Sequence, residues 1–304
     1  MEDYPRTLLE FEERFATEEA CREYVAGIRW PEGFECPTCG GTRAWTTSRG
    51  LYHCAQCGHQ TSVLAGTMFQ DTKKPLRLWF RAILHLTSQK YGANALGLQR
   101  ILGLGSYRTA WTWLHKLRVA MVRPGRERLS GSVEADETYI GGEKPGKRGR
   151  GAAGKALVLI MVEVKGSKMG RVRLKRVPDG SADSLHPALQ ESVAPGSTIS
   201  TDDWNGYCGV EKLGYVREIV REGTIVGENL LPRANRVAAL LKRWLLGTYQ
   251  GRVEASHSDY YLDEFTFRFN RRTSRSRGKL FYRLVQQAVA VDPVLGSEIQ
   301  GGRS

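Results

Sequence analysis

Apolar residues recur at helical spacing in three stretches between Pro75 and about Val122: "PLRLWFRAILHLTSQ", "ALGLQRILGL" and "SYRTAWTWLHKLRVAM". The intervening "GLGS" is a tight break between the last two, so two short helices joined by a glycine-containing turn form a helix-turn-helix candidate. Nearer the N-terminus, Phe11, Phe15, Cys21 and Tyr24 stand close to helical spacing, and Thr17 precedes two glutamates as an N-cap would. A short helical cap is therefore expected over residues 1–30. After "RPGRERLSG", a basic, glycine-bearing linker starting at Arg123, the pattern changes to strands. The order predicted is strand ("SVEADETYIGG"), basic loop ("EKPGKRGRGAAGK"), strand ("ALVLIMVEV"), strand ("GRVRLKRV"), helix ("SADSLHPALQESV") and strand ("STISTDD"). A polar stretch and a helix beginning at Asn235 follow. Strands and then strand-helix alternation predict a mixed sheet flanked by helices, in an α+β and α/β multidomain chain. No repeat stands out, and the only biased tract is the basic "RFNRRTSRSRGK".

Length and charge narrow the class. With 304 residues, two or three domains are expected. A formal charge of +13, from 45 Lys+Arg against 32 Asp+Glu, points to a polyanionic partner, and nucleic acid leads. The longest apolar run, Ala156 to Val162, is too short to span a bilayer and reads as a buried strand. The N-terminus starts with acids and shows no secretory pattern, so a cytoplasmic location is expected.

Four of the six cysteines form two "CxxC" pairs, Cys36/Cys39 and Cys54/Cys57, separated by fourteen residues. In a reducing compartment such pairs are metal ligands sooner than disulfides, and each is followed by a glycine, Gly40 or Gly58, free to adopt positive φ. Four thiolates close a tetrahedral zinc site and leave no open position, so the predicted ribbon is structural. A redox dithiol is the alternative, for which one pair would suffice. His53 and His59 flank the second pair and are read as surface histidines.

In the third helix Arg108, Lys116 and Arg118 sit among Trp111, Trp113 and Leu114, so an apolar face for the core and a basic face for phosphates are expected. A plain helical pair with solvated charges fits the same residues.

Alternation along the first strand places Glu134 and Asp136 on one face and Glu137 on the other. Carboxylates grouped in a basic protein repel, and divalent cations with oxygen ligands relieve that repulsion; two such ions serve phosphodiester chemistry. Asp202, on a later strand, could share a metal with Asp136, whereas the adjacent Asp203 has the character of a turn residue. Asn235 and Lys242 lie seven residues apart and so share a helix face, with the small Ala238 and Ala239 between them. Asn235 offers a hard, uncharged ligand oxygen; as a plain N-cap it would be equally well placed, and on residue chemistry alone the cap is favoured.

The succession "RWPEGFECPTCG", "CAQCGHQTSVLAGTMFQDTKKPL", "VEADETYIGG", "TDDWNGY", "LLKRWLLGTYQG" and "YYLDEFTFRFNRR" resembles the insertion-sequence transposases of the ISXO type, over nearly the whole chain. The resemblance implies an N-terminal zinc ribbon and a ribonuclease-H-like DDE catalytic domain. Asp136 matches the first acid, Asp202 the second and Asn235 the third position, with Lys242 seven residues on; that third position varies among Glu, Asn and His. Zn2+ in the ribbon, catalytic Mg2+ or Mn2+, double-stranded DNA as partner and a homodimer or higher oligomer on DNA are the implied companions. The expected division is 1–30 helical cap, 31–66 zinc ribbon, 67–125 helix-turn-helix, 126–290 catalytic domain and 291–304 tail. Lys147, Arg148 and Arg150, with Arg271 and Arg272, are expected to grip DNA backbone. A DNA-binding regulator with a decayed catalytic domain and a nuclease that cuts without joining are the rivals.

Overall fold

The computed structural model describes residues 2–141, 155–221, 230–250 and 253–302. In chain order the elements are α1 (Leu8–Arg14), α2 (Glu18–Arg29), β1 (Ala44–Thr46), β2 (Tyr52–Cys54), β3 (Gln60–Thr61), α3 (Leu76–Ser88), α4 (Ala95–Leu102), α5 (Tyr107–Ala120), β4 (Ser132–Ile140), β5 (Ala156–Lys165), β6 (Lys168–Val177), α6 (Ala182–Ser192), β7 (Thr198–Thr201), β8 (Val216–Ile219), α7 (Pro232–Tyr249), α8 (Ser258–Asn270), α9 (Arg277–Ala290) and α10 (Gly296–Gly301). They form two units, Met1–Pro124 with Ser274–Gln300, and Gly125–Thr273 with Gly301–Ser304.

The first unit is built on aromatic packing. Phe15 lies 4.9 Å from Phe80 and Phe11 lies 5.4 Å from Phe281, ring centre to ring centre, both edge-on, so α1, α3 and α9 share one core. Thr17 caps α2 as predicted, its hydroxyl accepting from Ala20 N at 3.1 Å. The start of α3 is satisfied from a distance: Glu18 accepts from Leu76 N at 2.9 Å and Arg77 N at 3.3 Å. Helix α4 ends at Gly103 with φ 61, and Ser106 caps α5, which gives the expected helix-turn-helix break. The ribbon β1–β2–β3 is an antiparallel sheet.

Placement of α9 in this unit departs from the division expected from sequence, in which everything to residue 290 was catalytic and the remainder a tail. Leu280, Phe281, Leu284, Val285 and Ala288 are buried at helical spacing, and Phe281 completes the aromatic cluster begun by Phe11. The expected tail contains α10, whose Ile299 is buried.

In the second unit the strand order is β6-β5-β4-β7-β8. The β6-β5-β4 pairs are antiparallel, and β7 and β8 add in parallel beyond β4. Three antiparallel strands, the first of which, β4, is the middle strand of the five, extended by parallel strands after a crossover helix, make a ribonuclease-H-like mixed sheet. The unbroken apolar run of β5 has a physical reason: Val158, Ile160 and Val162 face a core with α7 and α8, while Leu157, Leu159 and Met161 face a second core with α6. Strand β8 and helices α8 and α9 were not anticipated. Among the described residues no helix is long and apolar enough to cross a membrane.

Candidate active site and metal centre

Strand register brings the two acids together. The parallel β4–β7 pairing runs Ser132↔Thr198, Val133↔Ile199, Glu134↔Ser200 and there stops. Two residues further along each strand direction are Asp136, still paired with Ile160 of β5, and Asp202, just past the end of β7. Asp136 stands on the α7 face, as alternation required, and its Oδ1 accepts from Glu137 N at 2.8 Å. Asp202 lies just beyond β7, with Oδ1 accepting from Trp204 N at 3.1 Å. Asp203 points elsewhere, into an exposed ion pair with Arg221 at 3.1 Å, the minor role expected of it. On the opposite face of β4, Glu137 lies beside the buried Tyr207, whose hydroxyl pKa is raised far above its usual range by burial and by the Glu137, Asp136 and Asp202 carboxylates.

Glu134 shares the Asp136 face but has another task. Its Oε2 accepts from the backbone N–H groups of Arg233 at 2.7 Å and Ala234 at 2.9 Å, and its Oε1 accepts from Arg233 Nη1 at 2.8 Å. A buried carboxylate thus caps the N-terminus of α7, where dipole and unpaired donors favour an anion. The residue in the N-cap position is Leu231, which has no side-chain cap bond, and Asn235 N already donates to Leu231 O at 2.9 Å. Asn235 is therefore inside the first turn and is not the cap that its residue type suggested. Asn235 and Lys242 are both exposed on α7; Ala238 is buried as a close-approach position should be, but Ala239 is exposed.

Electrostatics link three of the four. Burial raises the Asp136 pKa above its ordinary value, and the Asp202 and Glu134 carboxylates push the same way, while the Glu137 amide and the Lys242 ammonium oppose them. A hard cation fits this donor set: two neighbouring carboxylates, one of them with its pKa raised by burial and by the like charges beside it. Glu264, a conceivable substitute third ligand, is fully buried and bound by Arg268 at 2.8 Å and Tyr249 at 3.2 Å. Glu228 lies outside the described residues.

The four cysteines converge. Cys36 and Cys57 Sγ atoms are 3.7 Å apart, as are those of Cys39 and Cys54, and all four lie within 4.8 Å of one another. A tetrahedral ZnS4 site with bonds of about 2.3 Å has S–S edges of about 3.8 Å. Gly40 and Gly58 have φ of 70 and 72, which turns each knuckle. Against the effect of removal from water, the Thr38 and Cys39 amides and neighbouring thiols bring Cys36 down to about 6. Cys39, in spite of a Gly41 amide, is pushed up to about 12 by the other three thiols. His53 packs on Trp45 at 4.3 Å and His59 is exposed, so neither displaces a cysteine.

The basic residues divide. Arg108 is exposed and hydrogen-bonded to Gln300; Lys116 is half-buried, its pKa lowered by that burial. Both line a cavity of about 450 Å³ with Lys73 and Lys74, two cations the sequence reading overlooked. Arg118 does not face solvent: it is 1% exposed and contacts His115 Nε2 at 3.3 Å. Spacing could have shown this, since Arg118 continues the stripe of Trp111 and Leu114. Arg272 is also spent internally, donating to Phe269 O at 2.9 Å and Gly170 O at 3.3 Å and covering the Phe269 ring at 4.1 Å. Arg271 covers Phe267 at 4.0 Å. Lys147, Arg148 and Arg150 lie outside the described residues.

One chain thus holds a ribonuclease-H-like sheet with two neighbouring acids beside a helix and a four-cysteine ribbon, and both parts match transposase domains. Residues 128–270 match the ISXO2-like transposase domain, and residues 16–60 match the transposase zinc-ribbon domain. Both parts of the chain thus carry transposase domains, and the resemblance drawn from the motifs holds in each. The "Uncharacterized protein in transposable element ISH50" of Halobacterium salinarum is 27% identical over 301 residues, covering 87% of this chain and 94% of that one. The crystal structure of the Mos1 strand transfer complex aligns with 73% of this chain and 78% of that chain at 12% identity, with a TM-score of 0.27, too distant to carry any inference.

Proposed function

We propose that this transposase binds the terminal inverted repeats of its element, hydrolyses the phosphodiester there to free a 3′ hydroxyl, and joins that hydroxyl to target DNA by in-line attack. The observation that supports the reading is the parallel β4–β7 register, which ends two residues short of Asp136 and Asp202, with the Asp202 and Lys242 charges both acting on Asp136. Asp136, Asp202 and the side-chain oxygen of Asn235 would hold divalent cations. Two magnesium or manganese ions bound there would activate the attacking oxygen and stabilise the leaving one. Asp136 and Asp202 bind through carboxylate oxygens, Asn235 through a neutral carbonyl, and Lys242 sets a positive charge against a substrate phosphate. The first unit, with its ribbon closed by zinc on Cys36, Cys39, Cys54 and Cys57, would recognise the ends, with Lys73, Lys74, Arg108 and Lys116 contributing to the phosphate contacts; double-stranded DNA would be held by a homodimer or higher oligomer.

The test is metal-dependent joining of a precut duplex, carrying the repeats that flank this coding sequence, to a supercoiled plasmid. Joining by the wild type that is lost in Asp136→Ala supports the reading. Sequence-selective binding by a zinc-loaded, folded protein that neither cuts nor joins in Mg2+ or Mn2+ would make it a regulator; cutting without joining would make it a nuclease.

A further inference from the structure

Asp202 has no ladder partner on β4, because the parallel pairing ends at Glu134↔Ser200. On its other side the β7–β8 ladder reaches Thr201, whose carbonyl accepts from Val220 N at 2.8 Å, and there it too ends. The segment that sets the direction of the Asp202 carboxylate therefore starts where regular pairing stops.

Side chains take over: the Thr201 hydroxyl donates to the Asp202 carbonyl at 2.7 Å, the Trp204 indole donates to Gly180 O at 2.6 Å, and Arg217 spans the segment. Arg217, in β8, donates through Nε to Thr201 Oγ1 at 3.2 Å and through Nη2 to the carbonyl oxygens of Asp202 at 3.2 Å and Trp204 at 3.1 Å. Its Nη1 lies 3.5 Å from Cys208 Sγ, and its guanidinium carbon stands 6.0 Å from the centre of the Tyr207 ring. The segment from Thr201 to Trp204 is thus gripped by one rigid fork at two backbone carbonyls and the Thr201 hydroxyl, and the Asp202 carboxylate closes the turn on Trp204 N. Arg217 is half-buried with its donors directed at these acceptors, so it is poorly placed to contact DNA.

We propose that Arg217 is a positioning residue that aims Asp202 at the metal shared with Asp136, an inference that rests on Asp202 being a metal ligand. Asp136 is held by its β4–β5 pairing with Ile160, whereas Asp202 lies past the end of β7, so the segment carrying it would otherwise be pushed away from Asp136 when no cation is bound. The planar guanidinium holds the Asp202 loop in the binding geometry beforehand, so less ordering is left for the metal to impose. Lysine would not replace it, because a point charge with rotatable donors cannot span a hydroxyl and two carbonyls lying in different directions.

The experiment uses full-length, zinc-loaded protein and Mn2+ as the probe, with free Mn2+ followed by electron paramagnetic resonance; the closed, soft thiolate site does not compete for it. Arg217→Gln and Arg217→Lys are expected to raise the Mn2+ concentration for half-saturation by about tenfold, a usual cost of removing a group that orients a ligand. The Trp204 amide should exchange faster with solvent in both variants, and strand joining should fail at limiting metal yet recover at saturating metal, which a misfolded variant would not do. Wild-type Mn2+ affinity in both variants, each melting cooperatively, overturns the role given to Arg217. Wild-type affinity in Asp202→Ala instead overturns the ligand assignment beneath it, so the two failures are distinct.

Discussion

The carboxylate of Glu134 accepts the backbone N–H of Ala234 at 2.9 Å across 100 residues of sequence, and with Arg233 it forms the N-terminal cap of α7. Asn235 is the next residue along. The strand that carries Asp136 thereby also fixes where the helix carrying Asn235 and Lys242 begins.

Glu134→Ala should cost about 1–3 kcal/mol of stability, the usual penalty for leaving buried hydrogen-bonding groups unmet. Denaturant unfolding measures it, and hydrogen exchange should show faster loss at the Arg233 and Ala234 amides. Glu134→Gln, which keeps an acceptor but no charge, should fall between. Unchanged exchange at both amides would contradict the cap.

Because Asn235 is inside the first turn, substitutions there separate cleanly from capping. Asn235→Ala should alter stability by no more than about 0.5 kcal/mol, as expected for an exposed helical position. Strand joining should nevertheless be lost in Asn235→Ala and Asn235→Ser, and kept or raised in Asn235→Asp or Asn235→Glu. Full joining by the serine variant would remove Asn235 from the ligand set.

Asp136 makes metal binding sensitive to pH. Its folded pKa is raised, so the ionised form disfavours the metal-free fold. That penalty is absent below the unfolded value, near 3.8, and complete above the raised one. A bound cation cancels it, so stabilisation by Mg2+ should grow as pH rises through the raised value. Melting temperatures with and without Mg2+ across the acidic to neutral range would show this, and Asp136→Asn should abolish the growth.

One tightly bound zinc per chain is expected. Elemental analysis should find it, and chelation or the paired Cys36→Ser, Cys39→Ser change should melt β1–β3. A zinc-free protein with that sheet intact would contradict the assignment.

A fragment ending at Pro124 should be poorly folded, since Phe11, Phe15 and Phe80 then lose Phe281. Fusing residues 274–300 back to it should restore cooperative melting and selective DNA binding. A well-folded fragment that binds without α9 would refute this.

Much of this was legible in the chain because the signals are local. Two-residue alternation separated Glu134 and Asp136 from Glu137, the cysteine pairs announced the ribbon, and the seven-residue interval placed Asn235 and Lys242 on one helix. What could not be read depended on partners far away. An acid cap drawn from another strand leaves no mark near Asn235, so the residue type itself suggested a cap that is not there. The Arg217 contacts hang on β8, a four-residue edge strand with three exposed positions and no apolar alternation to reveal it. Arg118 was misjudged for a different reason: its charge outweighed its position in a helical stripe that is otherwise buried.

The first unit draws on residues 1–124 and 274–300, and nearly all of the second is inserted between those two stretches. During synthesis the ribosome therefore releases residues 125–273, which hold the whole sheet of the second unit, before it releases α9. Domains fold as units while the chain emerges, at about 5–20 residues per second, so the ribonuclease-H-like sheet can form first, and the aromatic cluster around Phe281 closes last. A nonsense or frameshift change between the codons for residues 273 and 281 would spare the acids and their clamps yet strip the first unit of α9 and α10. Such a product would keep the proposed metal site while losing the fold proposed to tell the element's own ends from other DNA.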